Sequence, residues 1–191
     1  MKRSKKICLL AHCILNGNSK VEGLCSYKGA VKEVVELLIN KDFGIIQLPC
    51  PEINLYGIKR WGHVKEQFDT PYFRENCTRL LKPISNQIED YKNNGYEIAL
   101  VLGIDGSPSC GINYTCSSKK WGGELSGNEN LSEILNDIST IKSPGVFMEI
   151  LKENLEDIGV KPTYLTLNES NLGSSIEIIE SYFPELSAEV F

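Results

Sequence analysis

Three of the seven cysteines follow short apolar segments, and thiols placed in this way could bind a soft metal centre or act as nucleophiles. Cys13 follows the first apolar segment, Cys50 follows the second, and Cys110 follows the third. If these segments are parallel strands, their carboxyl ends share the edge of the sheet at which open α/β proteins bind ligands. The placement therefore predicts that three cysteines far apart in the sequence meet at one site.

The residues beside these cysteines could complete such a site. A structural zinc site is closed by four ligands, so three ligands would leave a coordination position open for water, sulfide or substrate. Glu52, two residues after Cys50, could then serve as a general acid or base. Ser107 and Ser109, close before the third cysteine, could donate hydrogen bonds to a substrate or to a developing anion.

The elements that must position these residues alternate between apolar strands and amphipathic helices. We expect strands at residues 6–11, 44–48, 96–103 and 163–167, and helices at 28–40, 73–93, 144–158 and 174–182. Continuous apolar strands between amphipathic helices indicate βαβ units and a parallel sheet that is covered on both faces. The sequence therefore predicts one α/β domain over residues 1–191, with a mostly parallel sheet in three α/β/α layers of the Rossmann or flavodoxin type.

Some local features of these elements can be predicted as well. Pro83 lies inside the long helix and should kink or break it. Ser143 is expected to be the N-cap of the helix that follows it. Residues 52–70 and 112–141 do not fit the alternation, and long loops of this kind often act as lids over a site.

Composition and charge exclude several other classes of protein. The hydrophobic fraction of 41% and the charged fraction of 24% are ordinary for a globular domain, and no apolar run is long enough to span a bilayer. The apolar run after the basic residues 1–6 is too short for a secretory signal, so we expect a cytoplasmic protein, for which a disulfide framework is not expected. The net charge is −5 and the basic residues are scattered, which argues against a nucleic-acid partner.

The motifs around the three cysteines resemble those of the thiouracil desulfidase family. The resemblance rests on Cys13 at the end of an apolar strand, on Cys-Pro-Glu at residues 50–52, and on Gly-Ser-Pro-Ser-Cys-Gly at residues 106–111. The last motif is the most specific of the three. Residues 15–23 differ from the commonest form of the family, which suggests a divergent branch.

The resemblance implies a cofactor and a reaction. Cys13, Cys50 and Cys110 would hold a [4Fe–4S] cluster with one open iron, and Glu52 and Ser109 would be the acid/base and positioning groups. The implied reaction is a non-redox desulfidation that removes sulfur from a thiocarbonyl small molecule, such as a thiolated nucleobase, and releases sulfide.

The expected partner is therefore a flat thio-heterocycle. Tyr56 and Trp61 in the first long loop, and Trp121 in the second, could stack on such a ring. Asn16, close after Cys13, is a further candidate for binding the substrate. Nothing in the sequence indicates an oligomeric state, and no membrane partner is expected.

Two other functions remain open from the sequence. Cys110 alone could be the nucleophile of a cluster-free thiol or persulfide-transfer enzyme. Alternatively, a non-catalytic domain could cradle a phosphate in the loop at residues 103–111, or hold a structural zinc. Cys25 and Cys116 could each be a fourth ligand, a sulfide acceptor or neither.

The remaining candidates have simpler interpretations. Cys8 lies within a predicted strand and Cys77 within a predicted helix, so both are expected to be buried core residues. His12 is expected to be held by a hydrogen bond rather than to bind a metal. His63 is expected to face solvent or to belong to a lid.

Overall fold

Six strands and eight α-helices make up the computed structural model, which describes residues 2–124, 126–127 and 129–183. The strands are β1 (Lys6–Leu10), β2 (Gly44–Gln47), β3 (Glu97–Ile104), β4 (Thr115–Ser117), β5 (Ser139–Ile141) and β6 (Thr163–Leu167). The helices are α1 (His12–Leu15), α2 (Lys32–Asn40), α3 (Pro51–Tyr56), α4 (Lys65–Phe68), α5 (Pro71–Asn93), α6 (Leu131–Asn136), α7 (Val146–Asp157) and α8 (Leu172–Tyr182).

Four of the strands form a parallel sheet in the spatial order β2–β1–β3–β6. Helices α5 and α7 pack against each other, with α5 against β3, whereas α2 and α8 pack against each other, with α8 against β6. The predicted fold class is confirmed: a mostly parallel sheet lies between two layers of helices. Strands β4 and β5 form a separate antiparallel pair.

The hydrophobic core is centred on the inner strands β1 and β3, because helices cover both faces of the sheet. The apolar runs of β1 and β3 are almost entirely buried, while the edge strand β2 is partly exposed. Helix α5 supplies an apolar stripe at helical spacing through Phe73, Cys77, Leu81 and Ile88. It stays one helix across Pro83, so the predicted break is absent.

The start of α7 corrects the prediction for Ser143. The helix begins later than predicted, and Gly145, which has no side chain to serve as a cap, occupies the N-cap position. Ser143 Oγ instead accepts a hydrogen bond from Lys65 Nζ at 2.6 Å. The first N–H groups of α7 are satisfied by backbone carbonyls of the loop after β3, so no side-chain cap is needed.

The two stretches predicted as long loops contain regular structure. Residues 52–70 include most of α3 and all of α4, and residues 112–141 include β4, α6 and β5. Residues 125 and 128 of the second stretch lie outside the described residues. Within the part of the chain that the structure describes, no helix is long and apolar enough to cross a membrane.

Candidate functional site

The three predicted cysteines emerge at the carboxyl edge of the parallel sheet. Cys13 lies in α1, the single helical turn after β1, and Cys50 is the N-cap residue of α3, after β2. Cys110 lies in the turn after β3. Since β2 and β3 flank β1 on opposite sides, the chain reverses its winding direction here, and such switch points are where doubly wound sheets bind ligands.

The three thiols lie close enough to influence one another electrostatically. Burial raises the pKa of Cys110 well above its ordinary value, and the proximity of Cys13 and Cys50 raises it further. Burial likewise raises the pKa of Cys13 to about 12, against the opposing charge of Lys20. Burial also raises the pKa of Cys50. The buried Cys50 and Cys110 and the half-buried Cys13 therefore share one region, and their thiolate forms require a cationic partner.

The turn that carries Cys110 is fixed by its backbone. The N–H groups of Gly145 and Val146 donate to the carbonyls of Gly111 and Pro108, both at 3.0 Å, and the Cys110 carbonyl accepts from Ile104 N at 2.9 Å. A Cβ at residue 111 would lie 2.2 Å from the Tyr114 carbonyl oxygen, which only a glycine avoids. The turn thus holds Cys110 in one place.

Asp105 organises the chain just beyond this turn. Its Oδ1 accepts hydrogen bonds from the backbone N–H groups of Ile112, Asn113 and Tyr114 at 3.0, 2.8 and 3.2 Å. A carboxylate that accepts several backbone donors is a strong local anchor. Asp105 therefore stabilises the segment that leaves the site.

Glu52 and Ser109 meet beside Cys110. The Ser109 hydroxyl donates to Glu52 Oε1 at 2.6 Å, and Ser109 Oγ lies 3.5 Å from Cys110 Sγ. Ser107 Oγ lies 3.3 Å from Ser109 Oγ and accepts from the Cys110 N–H at 3.0 Å. The predicted acid/base group and both serines therefore form one hydrogen-bonded chain that ends at the Cys110 thiol.

Arg60 is a site residue that the sequence did not reveal. Its guanidinium is buried and donates from Nε to Glu52 Oε2 at 3.0 Å. No motif marks it, since it lies in an irregular connection between α3 and α4. The sequence offered only its closeness to Glu52, which lies eight residues earlier.

A second polar group near Cys13 was also missed. Lys20 forms a close ion pair with Glu169, which comes from the connection after β6. The Tyr27 hydroxyl donates to the Cys13 carbonyl at 2.9 Å. The charge of Lys20 lowers the pKa of Cys13 and so opposes the effect of burial. All four strands of the main sheet therefore contribute residues to this edge.

The predicted substrate-binding residues Tyr56 and Asn16 belong to or follow the helices that carry Cys50 and Cys13, but within the described part of the chain neither is hydrogen-bonded to a site thiol. Tyr56 stacks on His63 and Phe68, with ring centroids 4.8 and 5.7 Å apart, and it lies near enough to Glu52 for that charge to contribute to its raised pKa, which is due mainly to burial. Asn16 follows α1 and accepts a hydrogen bond from Asn18 at 3.0 Å.

The two tryptophans differ in how they are held. Trp61 is 74% exposed. Trp121 is half-buried and donates from Nε1 to the Gly62 carbonyl at 3.0 Å. Trp121 therefore joins the second long connection to the first, whereas Trp61 remains available for contact.

The other cysteines and histidines have separate surroundings. Cys8 and Cys77 are fully buried in the core, as predicted. Cys25 is exposed, and Cys116 lies on β4 with its thiol 3.3 Å from the His63 carbonyl. His12 Nδ1 lies 3.2 Å from the Leu48 carbonyl, in agreement with the predicted hydrogen bond. The His63 ring is half-buried and lies against the rings of Tyr56 and Phe68.

The donor set is suited to a cluster better than to one ion. Among the described residues, no three His, Cys, Asp or Glu side chains converge closely enough to hold a single metal ion. A [4Fe–4S] cluster is wider than an ion, and each cysteine binds a different iron, so its ligands need not converge on one point. Three thiols from three different connections, two buried and one half-buried, with mutual electrostatic influence, fit such a group.

Comparisons with known proteins gave two similarities. No protein-family model matches the chain. MJ0003, an uncharacterized protein of Methanocaldococcus jannaschii, is 46% identical over 110 residues, which cover 58% of this chain and 70% of that protein. The solved structure of TudS, a [4Fe–4S]-dependent thiouracil desulfidase, aligns over 92% of this chain and 99% of its own, with a TM-score of 0.49 and 14% identity. The structural similarity is therefore distant.

Proposed function

The chain belongs to the same family as MJ0003 of Methanocaldococcus jannaschii, and we propose that it is a [4Fe–4S]-dependent desulfidase. The proposed substrate is a small thiocarbonyl molecule such as a thiolated nucleobase. In the proposed reaction, water replaces the sulfur, so that a C=S group becomes C=O and hydrogen sulfide is released. No electron is gained or lost overall.

One observation carries the proposal: a buried carboxylate and a hydroxyl are linked to one of three neighbouring thiols. Glu52 is 9% exposed, and its Oε1 accepts from Ser109, whose oxygen lies 3.5 Å from Cys110 Sγ. A group able to transfer protons therefore lies next to the three thiols. A purely structural metal site has no need of such a group.

Cys13, Cys50 and Cys110 would hold the cluster. When bound through three cysteines, it would supply an iron able to act as a Lewis acid toward the substrate sulfur. The rest of the chemistry falls to the side chains of this chain. Their burial excludes bulk water and strengthens their electrostatic interactions.

Glu52 is the proposed general base and acid. Its Oε1 can take a proton from the attacking water and return it to the departing sulfur. Ser109 donates to that oxygen at 2.6 Å in the resting state and fixes its direction. The Ser107 hydroxyl accepts a hydrogen bond from the Cys110 N–H, which fixes the position of the Cys110 thiol relative to Ser109. These contacts support distinct roles for the three residues.

Tyr56 and Trp61 supply the proposed stacking contacts with the substrate. Tyr56 is held in an aromatic stack near Glu52, and Trp61 is largely exposed beside the buried Arg60. A flat heterocycle gains stacking energy on such rings without a covalent or charged contact. Asn16 can add a hydrogen bond from the Cys13 side of the site.

The alternative thiol enzyme is not supported by the surroundings of Cys110. A reactive cysteine is partly exposed in an electropositive environment, whereas Cys110 is 6% exposed among other thiols and a carboxylate.

The structure of the loop at residues 103–111 does not support phosphate binding either. The N–H groups of Ser107, Cys110 and Gly111 donate within the turn, to Ile104 O, to Ser107 Oγ and to Ser107 O respectively. These donors are therefore not free to cradle a phosphate.

Substitution of the cysteines tests the proposal. We expect Cys13→Ser, Cys50→Ser and Cys110→Ser each to lose bound iron and sulfide release from thiouracil together. The matched control is Cys25→Ser at the exposed cysteine, which should keep both. Sulfide release that survives any of the three site substitutions would refute the proposed mechanism, and loss of iron in the control would refute the three-ligand set.

A further inference from the structure

Arg60 is buried where its neighbours are exposed. It is 8% exposed, while Lys59 before it and Trp61 after it face solvent. Burying a guanidinium costs several kcal/mol unless its donors are paired. An irregular connection that turns one arginine inward must therefore be stabilised by what that side chain binds.

Each nitrogen of the guanidinium has a partner. Nε donates to Glu52 Oε2 at 3.0 Å, Nη2 to the Ser19 carbonyl at 2.8 Å, and Nη1 to the Gly57 carbonyl at 3.3 Å. The planar fork of arginine makes these contacts at once, which the single ammonium group of lysine cannot reproduce. The arrangement is specific to arginine, not merely to positive charge.

These contacts divide the two oxygens of Glu52 between different tasks. Oε2 is taken by Arg60, and Oε1 is directed to Ser109 at 2.6 Å. Without the guanidinium, the carboxylate would be free to rotate away from Ser109. The orientation of the oxygen that faces the thiols therefore depends on Arg60.

Arg60 also joins two of the cysteine-bearing segments. Ser19 ends the short 3₁₀ turn that follows the Cys13 helix, whereas Glu52 lies in the first turn of the helix capped by Cys50. One side chain thus connects the segment after β1 to the segment after β2, beside the point where the winding of the sheet reverses.

We propose that Arg60 is a positioning residue, which fixes the Glu52 carboxylate against Ser109 and ties the turn after Cys13 to the helix that begins at Cys50. The inference rests on the proposed function and deepens it. Partners of this kind orient the groups that bind or react, and their removal commonly lowers activity or metal affinity about tenfold to a hundredfold.

The test uses anaerobically purified protein and the variant Arg60→Ala. We expect kcat for sulfide release from thiouracil to fall about tenfold to a hundredfold, with KM within about twofold of the unsubstituted protein. Iron per chain should remain as in the unsubstituted protein, but a chelator should remove it about tenfold faster. Added guanidinium ion should restore much of kcat, since it refills the space with the missing donors. Arg79→Ala, at an exposed arginine of α5, is the matched control and should change none of these quantities.

The outcomes separate this inference from the proposed function. A normal kcat and a normal rate of iron loss in Arg60→Ala would overturn the role of Arg60 alone. A kcat that falls only in proportion to iron content, with no rescue by guanidinium, would show a merely structural residue and would also overturn it. Unsubstituted protein that holds no iron and releases no sulfide would overturn the proposed function, and the inference with it.

Discussion

The turn that carries Cys110 and the connection that carries Trp61 follow neighbouring parts of the same sheet edge, yet they are held in opposite ways. In residues 106–111, backbone groups are bonded to β3, to the start of α7 and to one another. In residues 58–63, the hydrogen bonds that anchor the connection each involve a side chain, such as Arg60 with Glu52 and Trp121 with the Gly62 carbonyl.

The two regions meet different requirements: reacting groups need a fixed geometry, whereas substrate contacts need freedom to adjust. A group that takes part in chemistry must be held within a fraction of an ångström, and a clamped backbone achieves this. A surface that meets a substrate gains from exposed aromatic rings with freedom to adjust. The first region should therefore lose stability on substitution, whereas the second, apart from the buried Arg60, should keep its stability.

The largest effect should follow from filling the space beside the clamped turn. In Gly111→Ala, the new Cβ would lie 2.2 Å from the Tyr114 carbonyl oxygen, so the backbone must move. We expect the free energy of unfolding to fall by about 3 kcal/mol, and bound iron to be lost. Urea denaturation measures the first quantity and iron analysis the second.

The control for this prediction is the same change in the exposed connection. A Cβ at Gly62 would meet no atom within 4 Å, and its backbone is not in the left-handed region. Gly62→Ala should leave unfolding and iron unchanged. Equal losses in the two variants would remove the contrast between the regions.

A smaller effect is expected from the anchor of the segment that leaves the turn. Asp105→Ala removes the acceptor of three backbone N–H groups, which should lower the free energy of unfolding by about 2 kcal/mol. Asp105→Asn keeps an acceptor oxygen and should lose about half as much. Thermal and urea unfolding of both variants check the order. If the alanine variant is as stable as the unsubstituted protein, Asp105 does not anchor the segment.

The smallest effect on stability is expected at the exposed tryptophan. Trp61 is 74% exposed, so Trp61→Ala should change the free energy of unfolding by less than about 0.5 kcal/mol. The loss of a stacking surface should still raise KM for thiouracil about tenfold. Trp61→Phe, which retains a ring, should recover most of this loss. An unchanged KM in the alanine variant would exclude Trp61 from the substrate site.

The positions of the cysteines could be predicted because they depend on strand order alone. Apolar runs identified β1, β2 and β3, and parallel strands bring their carboxyl ends together whatever the details of packing. The contact between Glu52 and Ser109 follows from the same rule, since each residue lies within two positions of a cysteine.

Other features depended on contacts that no local pattern records. The start of α7 was predicted with Ser143 as its cap, but carbonyls of the distant Cys110 turn satisfy its N–H groups. Helices as short as α3 and α4 are too brief to show a helical period, so their stretch was expected to be a loop. Arg60 and the Lys20–Glu169 pair are defined only by the tertiary fold.

The most direct test of the central claim is the iron and acid-labile sulfide content of protein purified without oxygen. We expect about four iron and four sulfide per chain, held by Cys13, Cys50 and Cys110. Zinc without sulfide, or no bound metal after reconstitution with iron and sulfide, would contradict it.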